Sequence, residues 1–352
     1  PSVLEVNGET IIKQTVTGST GSFEQVISGL AVNTVYSYIA YATNSIGTTQ
    51  SVVQQFTTGQ NNVSGVISSD VTWTLNNSPY TVTGSVLVSS GVTLTIEAGV
   101  VINFSDDYKI LVKGHIISSG TSEFLITFNG NSSEGSSPMI IFKSTNLSNS
   151  ILSYNKFIGP QKAIQLADES EHNQDNTKNS GILTVTYSDF NNAGLYTKGY
   201  RTLAELKFEN STFDNLIVKG YYPRSEPISF TSCTINNSNI NSDSYNYGIK
   251  IYYSQVLNST FTIGCCGANF LIDNSTIYNS PFTDYNNYYT VTINKSLIIA
   301  SPLTLPSGDL EITNSIISFN GFDTSEGIYT RNATISNSLI SGNGAGTGLK
   351  IN

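Results

Sequence analysis

The sequence predicts an all-β chain, most of which folds as a right-handed parallel β-helix, an elongated solenoid of short strands. Composition is the first support: the 352 residues include 20 Tyr and 16 Phe but only one Met and one Trp, and 12% are charged. Together with abundant Asn, Ser and Thr, this favours strands and tight turns over helices. The second support is a series of short alternating segments separated by turn signals, and the third is a recurring motif.

The recurring motif is a polar residue, then Ser or Cys, any residue, and an aromatic or aliphatic residue. Its copies have their Ser or Cys at Ser188, Ser211, Cys233, Ser259, Ser275, Ser296, Ser315 and Ser338. The successive spacings are 23, 22, 26, 16, 21, 19 and 23 residues, a loose period near 21. That period fits one β-helix coil, with large apolar residues stacked inward and Asn, Ser or Cys in a tight corner.

Three segments are expected along the chain. Residues 1–58 form a first strand-rich domain, 59–62 a linker and 63–352 the β-helix. Because the chain starts without Met and ends inside another apparent coil, we expect a piece of a longer multi-domain polypeptide whose β-helix continues past Asn352. The net charge of −9 argues against nucleic acid as a partner. No apolar run approaches the roughly 18 residues of a membrane-spanning helix.

Part of the first domain resembles the latter half of a fibronectin type III domain, where a tyrosine corner precedes an Asn-x-x-Gly turn. The matching residues are Leu30, Thr34, Tyr36, Tyr38, Ala40, Ala42, Asn44 and Gly47. The match departs at Val32, where the family usually has proline, and the first strands of such a domain are missing, so residues 1–58 are expected to be a partial domain.

Two further stretches resemble exported bacterial proteins. The segments from Thr72 to Gly84 and from Gly91 to Val100 look like the β-helix openings of large exported bacterial proteins. The stretch from Tyr41 to Thr48 is similar to fibronectin-like repeats of bacteria that use type IX secretion. These resemblances imply a secreted or cell-surface protein, commonly an adhesin.

Tyrosines between the motif copies are the candidate ligand-binding residues. They are Tyr221, Tyr222, Tyr245, Tyr247, Tyr252, Tyr253, Tyr285, Tyr288 and Tyr289. Adjacent residues of a strand point to opposite faces, so one of each adjacent pair must point outward. Rings about 4.8 Å apart on successive coils are expected to form a flat platform for a glycan or a surface protein. We therefore expect a non-catalytic adhesin or structural module; a passive spacer is one alternative.

A carbohydrate-active enzyme, either a polysaccharide lyase or a glycoside hydrolase, is the other alternative, because many β-helix proteins have these activities. Glycoside cleavage requires two carboxylates about 5–10 Å apart. The dipeptides Asp106-Asp107 and Gly114-His115 resemble only fragments of the polygalacturonase-like motifs, and the Arg-x-Lys element of that family is absent. Lys198, Tyr200 and Arg201 could bind an acidic sugar, and the alternative is a rim loop with ordinary charges. No catalytic residue is assigned.

The acidic segment 168–176 interrupts the repeat. Its oxygen-bearing side chains make calcium the one cofactor to consider, with Asp168, Glu169, Glu171 and Asp175 as candidate ligands. The segment lacks the Asp-x-Asp-x-Asp-Gly spacing, and a solvated loop is the expected structure. Cys233, Cys265 and Cys266 are expected to be small buried residues, with a disulfide from Cys233 to one of the pair as the alternative.

Overall fold

The computed structural model describes residues 5–6, 9–10, 35–57, 61–130, 138–159, 162–167, 179–198, 203–221, 228–242, 248–263, 269–284, 289–318, 326–342 and 347–351. The chain divides into two compact units, residues 1–60 and 61–352. Within the described ranges, no helix is both long enough and apolar enough to cross a membrane.

The described strands of the first unit form short antiparallel pairs. They are Glu5–Val6 with Glu9–Thr10, Val35–Tyr38 with Gln54–Thr57, and Tyr41–Thr43 with Thr48–Gln50. The expected Asn-x-x-Gly turn is present, because Oδ1 of Asn44 accepts hydrogen bonds from the backbone N–H groups of Ile46 and Gly47 at 2.9 and 3.1 Å. These pairs agree with an all-β unit but do not establish a fibronectin-type sandwich.

The second unit is a parallel β-solenoid with almost no helix, which confirms the all-β, parallel β-helix part of the fold prediction. Each turn contributes strands in sequence to three parallel sheets, called here sheets 1, 2 and 3, and each strand pairs with its equivalents in neighbouring turns. Two single-turn 3-10 helices, Leu75–Asn77 and Leu147–Asn149, interrupt the early turns.

Four strands bend from one sheet to the next: Asn61–Ile67 and Tyr80–Val88 from sheet 2 to sheet 3, and Leu303–Thr313 and Glu326–Ser336 from sheet 3 to sheet 1. The other strands of sheet 1 are Val71–Trp73, Thr93–Ile96, His115–Ser119, Ile151–Ser153, Ser180–Thr186, Leu203–Glu209, Ile228–Thr231, Ile249–Tyr252, Asn269–Asp273 and Thr290–Asn294. Those of sheet 2 are Val101–Phe104, Ile126–Asn129, Asn155–Ile158, Asp189–Asn191, Thr212–Asp214, Thr234–Asn236, Gln255–Leu257, Thr276–Tyr278, Leu297–Ile299, Ile316–Ser318 and Leu339–Ser341. Those of sheet 3 are Ile110–Val112, Ile140–Lys143, Ile164–Ala167, Gly194–Lys198, Ile217–Tyr221, Asn239–Ser242, Thr260–Ile263, Phe282–Asp284 and Thr347–Ile351.

The core is a stack of equivalent apolar side chains, as the repeat predicts. In sheet 2 the rings of Phe128, Phe157, Phe190 and Phe213 stack in order, with centroids 4.8–4.9 Å apart. Phe208 of sheet 1 meets the Phe190 ring edge-on at 5.4 Å, so the two sheets interlock. Such parallel and edge-to-face pairs add stabilisation of about 0.5–1.5 kcal/mol each beyond the burial of their area.

Two tight corners recur in successive turns, each formed by one residue with left-handed backbone angles. The first corner, between sheets 1 and 2, uses Tyr154, Tyr187, Asn210, Ser232, Tyr253, Asn274, Lys295, Asn314 and Asn337, with φ between 47° and 54°. The second corner, between sheets 2 and 3, uses Asn192, Asn215, Asn237, Asn258, Asn279 and Ala300, with φ between 48° and 57°. From Tyr187 to Ala300, each first-corner residue is followed five positions later by a second-corner residue.

A ladder of buried hydroxyl groups holds the corners in register. At the first corner, Oγ of Ser254 accepts a hydrogen bond from the backbone N–H of Cys233 in the previous turn at 3.0 Å. The same hydroxyl donates to the carbonyl oxygen of Tyr252 at 2.6 Å. The second corner repeats the arrangement, for example from the N–H of Ser238 to Oγ of Ser259 at 3.0 Å. Each such bond contributes about 1 kcal/mol net.

The structure corrects one copy of the motif. Ser259 belongs to the second-corner ladder, where its N–H donates to Oγ of Ser280 at 3.0 Å. The first-corner copy in that turn is Tyr253-Ser254-Gln255-Val256, which fits the same motif five residues earlier, so two matches competed in one turn and the prediction used the later one. With Ser254 in place of Ser259, the irregular spacings of 26 and 16 become 21 and 21.

Candidate binding surface

The first-corner residues form a line of side chains on the outside of the solenoid, which we call the first-corner column. The residue before each of them pairs with its equivalents in adjacent turns, as Thr231 does with Glu209 and Tyr252. Column members therefore follow one another at about the 4.8 Å strand spacing. Left-handed backbone angles are uncommon for a bulky residue, yet three column positions carry Tyr.

Two of these tyrosines, Tyr154 and Tyr187, stack on each other. Their ring centroids are 4.9 Å apart and their planes differ by 8°. The Tyr187 side chain is nevertheless 49% exposed. This geometry changes the expected role of in-register tyrosines: neighbouring rings cover each other's faces, so they do not lie side by side as a flat platform.

Tyr253, the third column tyrosine, is the most exposed aromatic residue that the structure describes, at 64%. It is one of the nine candidate residues. Its neighbours in the column are Ser232 in the previous turn and Asn274 in the next, and none of the described rings stacks on it. Tyr252, also a candidate, is half-buried on the outer face of sheet 1, and its pKa is raised by burial and by the carboxylates of Asp273 and Glu205.

Tyr289 differs from the expectation that the candidate tyrosines are exposed. Its side chain is 3% exposed, and its hydroxyl donates to Oδ2 of Asp284 at 2.6 Å. Burial and that carboxylate raise the pKa of Tyr289. The ring packs directly against Gly308, where an added Cβ would come within 2.2 Å of Cε2. Tyr289 therefore fills a corner of the core and presents no face to a ligand.

The remaining candidate tyrosines are not placed. Tyr221 ends the sheet 3 strand Ile217–Tyr221, but its side chain is outside the described part of the structure. Tyr222, Tyr245, Tyr247, Tyr285 and Tyr288 lie outside the described residues. All five fall in intervals that follow a sheet 3 strand and precede a sheet 1 strand.

The calcium candidates Asp168, Glu169, Glu171 and Asp175 also lie outside the described residues, between Ile164–Ala167 of sheet 3 and Ser180–Thr186 of sheet 1. In the ranges that the structure covers, no group of three or more His, Cys, Asp or Glu side chains is placed to hold a metal ion.

The residues weighed for an enzyme are dispersed. Asp106 and Asp107 occupy an exposed turn, where Oδ1 of Asp106 accepts from the Asp107 N–H at 2.8 Å. His115 begins a sheet 1 strand, and its Nδ1 is buried without a hydrogen-bond partner among the described residues. Arg201 and the Lys198 side chain are outside the described part of the structure.

Two of the described carboxylates elsewhere contact neighbouring polar side chains. Asp309 accepts a hydrogen bond from Nε of Arg331 at 3.0 Å and from Nδ2 of Asn332 at 2.8 Å. The guanidinium of Arg331 holds the pKa of Asp309 below its ordinary value. Oε1 of Glu209 lies 2.7 Å from Nζ of Lys207, whose pKa is raised by that contact. Asp309 therefore joins neighbouring turns, whereas the Lys207–Glu209 contact lies within one strand.

An apolar stripe on the outer face of sheet 2 was not anticipated from the sequence. Thr212, Thr234, Gln255 and Thr276 occupy equivalent outward positions in four successive turns. The next three turns carry Leu297, Ile316 and Leu339 at the same position, and Ile316 and Leu339 are 48% and 57% exposed. The change from polar to apolar residues at this outward position is hard to see in the sequence. Each apolar residue is followed by an isoleucine (Ile298, Ile317 or Ile340), and two consecutive apolar residues do not show which of them points outward.

The solenoid and the first-corner column follow from hydrogen bonds and ring contacts within this chain. Comparison of the chain with family models, with curated proteins and with solved structures finds no match.

Proposed function

We propose that this chain is a non-catalytic binding module of an exported or cell-surface protein, in which the solenoid presents the first-corner column to a glycan or a surface protein. The observation that supports the proposal is the placement of Tyr187 and Tyr253. Both occupy left-handed positions where other turns use Asn, Ser or Lys with the same backbone angles. The fold therefore does not require aromatic rings there, and a bulky side chain is unfavourable at such angles.

The supporting scaffold suits this role. The hydroxyl ladder lies directly beneath the column, so each exposed side chain stands on a backbone segment that is hydrogen-bonded to both neighbouring turns. A rigid support lowers the entropy lost when a ligand binds. The resemblance of the first unit to a fibronectin type III domain, the right-handed sense of the solenoid and export by type IX secretion belong to the same proposal.

A combined binding and degradation screen tests the proposal. The full chain is applied to a glycan array and to immobilised cell-surface proteins, and is incubated with polysaccharides, each with and without calcium. We expect binding without release of oligosaccharides. Release of oligosaccharides would favour the carbohydrate-active enzyme instead, and absence of binding to every surface would favour the passive spacer.

Variants connect binding to the column. Tyr154→Asn, Tyr187→Asn and Tyr253→Asn together replace the rings with a residue that the column already uses, so the fold should persist while binding falls. Tyr278→Thr is the matched control, because Tyr278 is 47% exposed on sheet 2 and lies outside the column. Equal loss in the control, or no loss in the triple variant, would place binding elsewhere.

A further inference from the structure

Tyr253 has an open ring face because its neighbour in the previous turn is small. We propose that the gap at Ser232, between Asn210 and Tyr253, binds one pyranose ring of a neutral polysaccharide, which stacks on Tyr253. The inference rests on the proposed binding function and names the ligand class for one position of the column.

The Tyr154–Tyr187 pair is the case in which a column tyrosine has an aromatic neighbour in the previous turn. There a ring occupies the adjacent column position, and the two rings stack at 4.9 Å. At Ser232 the same position holds only a hydroxymethyl group with φ of 54°, close to the 50° of Tyr253. The exposures agree with this difference, since Tyr253 is 64% exposed and the stacked Tyr187 49%. The space from Asn210 to Tyr253 spans two strand spacings, about 9.6 Å, which accommodates one six-membered ring between them.

Three amide groups lie near the gap: Asn210 borders it, Gln255 follows Tyr253 by two residues, and Asn274 lies one turn beyond Tyr253. Elsewhere in the corners, Asn side chains bond across turns, as Nδ2 of Asn279 does with Oδ1 of Asn258 at 2.9 Å. The side chains of Asn210, Gln255 and Asn274 make no such bond with the described residues, and Asn210 and Gln255 are exposed. An amide offers both a donor and an acceptor, which matches the hydroxyl groups at the edge of a sugar. The electron-rich ring face of Tyr253 suits the C–H groups on the sugar's apolar face.

The charges near the gap select a neutral sugar. Glu209 directly precedes Asn210, so a carboxylate adjoins the gap, and Asp273 directly precedes Asn274 one turn beyond Tyr253. Lys207 is the cation that contacts Glu209, at 2.7 Å. A uronate would be repelled by these carboxylates and by the chain's net charge of −9. A neutral hexose polymer meets no such barrier.

Filling the gap tests the inference. Ser232→Tyr places a ring where the column already accepts Tyr at three other positions with similar φ, so the variant should fold. Affinity electrophoresis and calorimetry with cello-oligosaccharides, galactomannan and dextran should then show affinity falling by about tenfold or more, since 1.4 kcal/mol corresponds to tenfold. Tyr253→Asn should give a similar loss, whereas Tyr253→Phe should retain binding. Alginate and polygalacturonate should bind more weakly than the neutral polymers.

Asn337→Tyr is the matched control, because it adds the same ring to the same column five turns away from Ser232. It should leave affinity unchanged. If the unaltered chain binds a neutral polysaccharide and Ser232→Tyr binds it equally well, the gap is not the site and the proposed function stands. If the chain binds only acidic polysaccharides or only immobilised proteins, the inference is wrong and the binding function again stands. If it binds none of these, both fail.

Discussion

The backbone N–H of Cys233 donates a 3.0 Å hydrogen bond to Oγ of Ser254 in the next turn, so a thiol occupies one step of a first-corner ladder whose other steps from Ser188 to Ser338 are serine hydroxyls. Sγ of Cys233 lies 3.3 Å from the carbonyl oxygen of Thr231, the partner that a serine hydroxyl would have in this ladder. The thiol is 2% exposed and is free. At this step a sulfur atom replaces the oxygen of the neighbouring serines, so substitutions here measure how much the ladder contributes to stability.

Replacing Cys233 with Ser should preserve the fold and remove a pH dependence. Burial raises the pKa of the Cys233 thiol from 9.0 to about 11. The unfolded chain therefore loses this proton first, so the thiol's contribution is fully present below pH 9 and is lost as pH rises from about 9 to 11. At the upper end the loss amounts to about 2–3 kcal/mol. Urea unfolding should show the free energy of unfolding of Cys233→Ser rising relative to that of the unaltered chain only above pH 9. If the two free energies stay parallel as pH rises, the prediction is wrong.

Ser254→Ala should destabilise the solenoid by about 1–3 kcal/mol, because it leaves the buried N–H of Cys233 without an acceptor. Ser336→Ala is the control, since the Ser336 side chain is exposed and precedes the first-corner residue Asn337. Denaturant unfolding measures both. A loss in Ser254→Ala no larger than in the control would mean that water or a neighbour replaces the hydroxyl.

Neighbouring isoleucines in sheet 2 should respond differently to the same change. Ile316→Thr should alter stability by less than about 0.5 kcal/mol, because Ile316 is 48% exposed and Thr stands at the equivalent position in earlier turns. Ile317→Thr should cost about 2–4 kcal/mol, because Ile317 is fully buried and the hydroxyl has no partner there. Thermal unfolding distinguishes the two variants. If Ile316→Thr were the more destabilising, the register of this strand would be shifted by one residue.

Gly308 and Tyr289 should be energetically coupled. Gly308→Ala should destabilise the chain by about 1–3 kcal/mol, because the new Cβ would lie 2.2 Å from Cε2 of Tyr289. In a Tyr289→Ala background the same change should cost less, since the ring is gone. A double-mutant cycle by denaturant unfolding measures the difference, and full additivity would show that backbone movement, rather than the ring, determines the cost.

Removing the Arg331 guanidinium should raise the pKa of Asp309. Arg331 is the first cause that lowers the pKa of Asp309, so in Arg331→Gln this pKa should return toward its ordinary value of 3.8. A carboxylate whose pKa is lowered by folding stabilises the fold at pH values above its unfolded pKa. This stabilisation is lost as pH falls through the folded pKa. The Asp309 side chain is 38% exposed, so the stability change should be below about 1 kcal/mol. Carboxyl chemical shifts titrated against pH test this, and an unchanged midpoint would contradict it.

The repeat length was readable from the sequence because inward Phe and Ile recur once per turn, and the solenoid followed from it. The register was not fully readable. Asn258-Ser259 at the second corner fits the same motif as Tyr253-Ser254 at the first corner, so one turn contains two matches. Both corners impose the same demand, a left-handed residue followed by a small hydroxyl, so local sequence alone does not distinguish them.

The candidate site was only partly readable for a related reason. Alternation predicts that one of two adjacent tyrosines points outward. Both Tyr252 and Tyr253 face outward, because the strand ends at Tyr252 and Tyr253 stands at the corner. Alternation does not say which tyrosine of a pair is buried, and Tyr289 is buried because Gly308 in the next turn leaves room for its ring. That vacancy lies 19 residues away, and no local pattern signals it. Stacking between Tyr154 and Tyr187 likewise depends on register across turns.

The hydroxyl ladder also gives the solenoid a chemical direction. Along it, the N–H groups donate forward to the side chain of the following turn, as Ser275 does to Oγ of Ser296 at 3.1 Å. The last turn of such a solenoid therefore has a backbone N–H that lacks an acceptor in a following turn. The first turn has a hydroxyl oxygen that lacks a donor in a preceding turn. Two such rods meeting end to end would complete the bond in only one orientation, so longer filaments of this fold would be polar, with every unit pointing the same way.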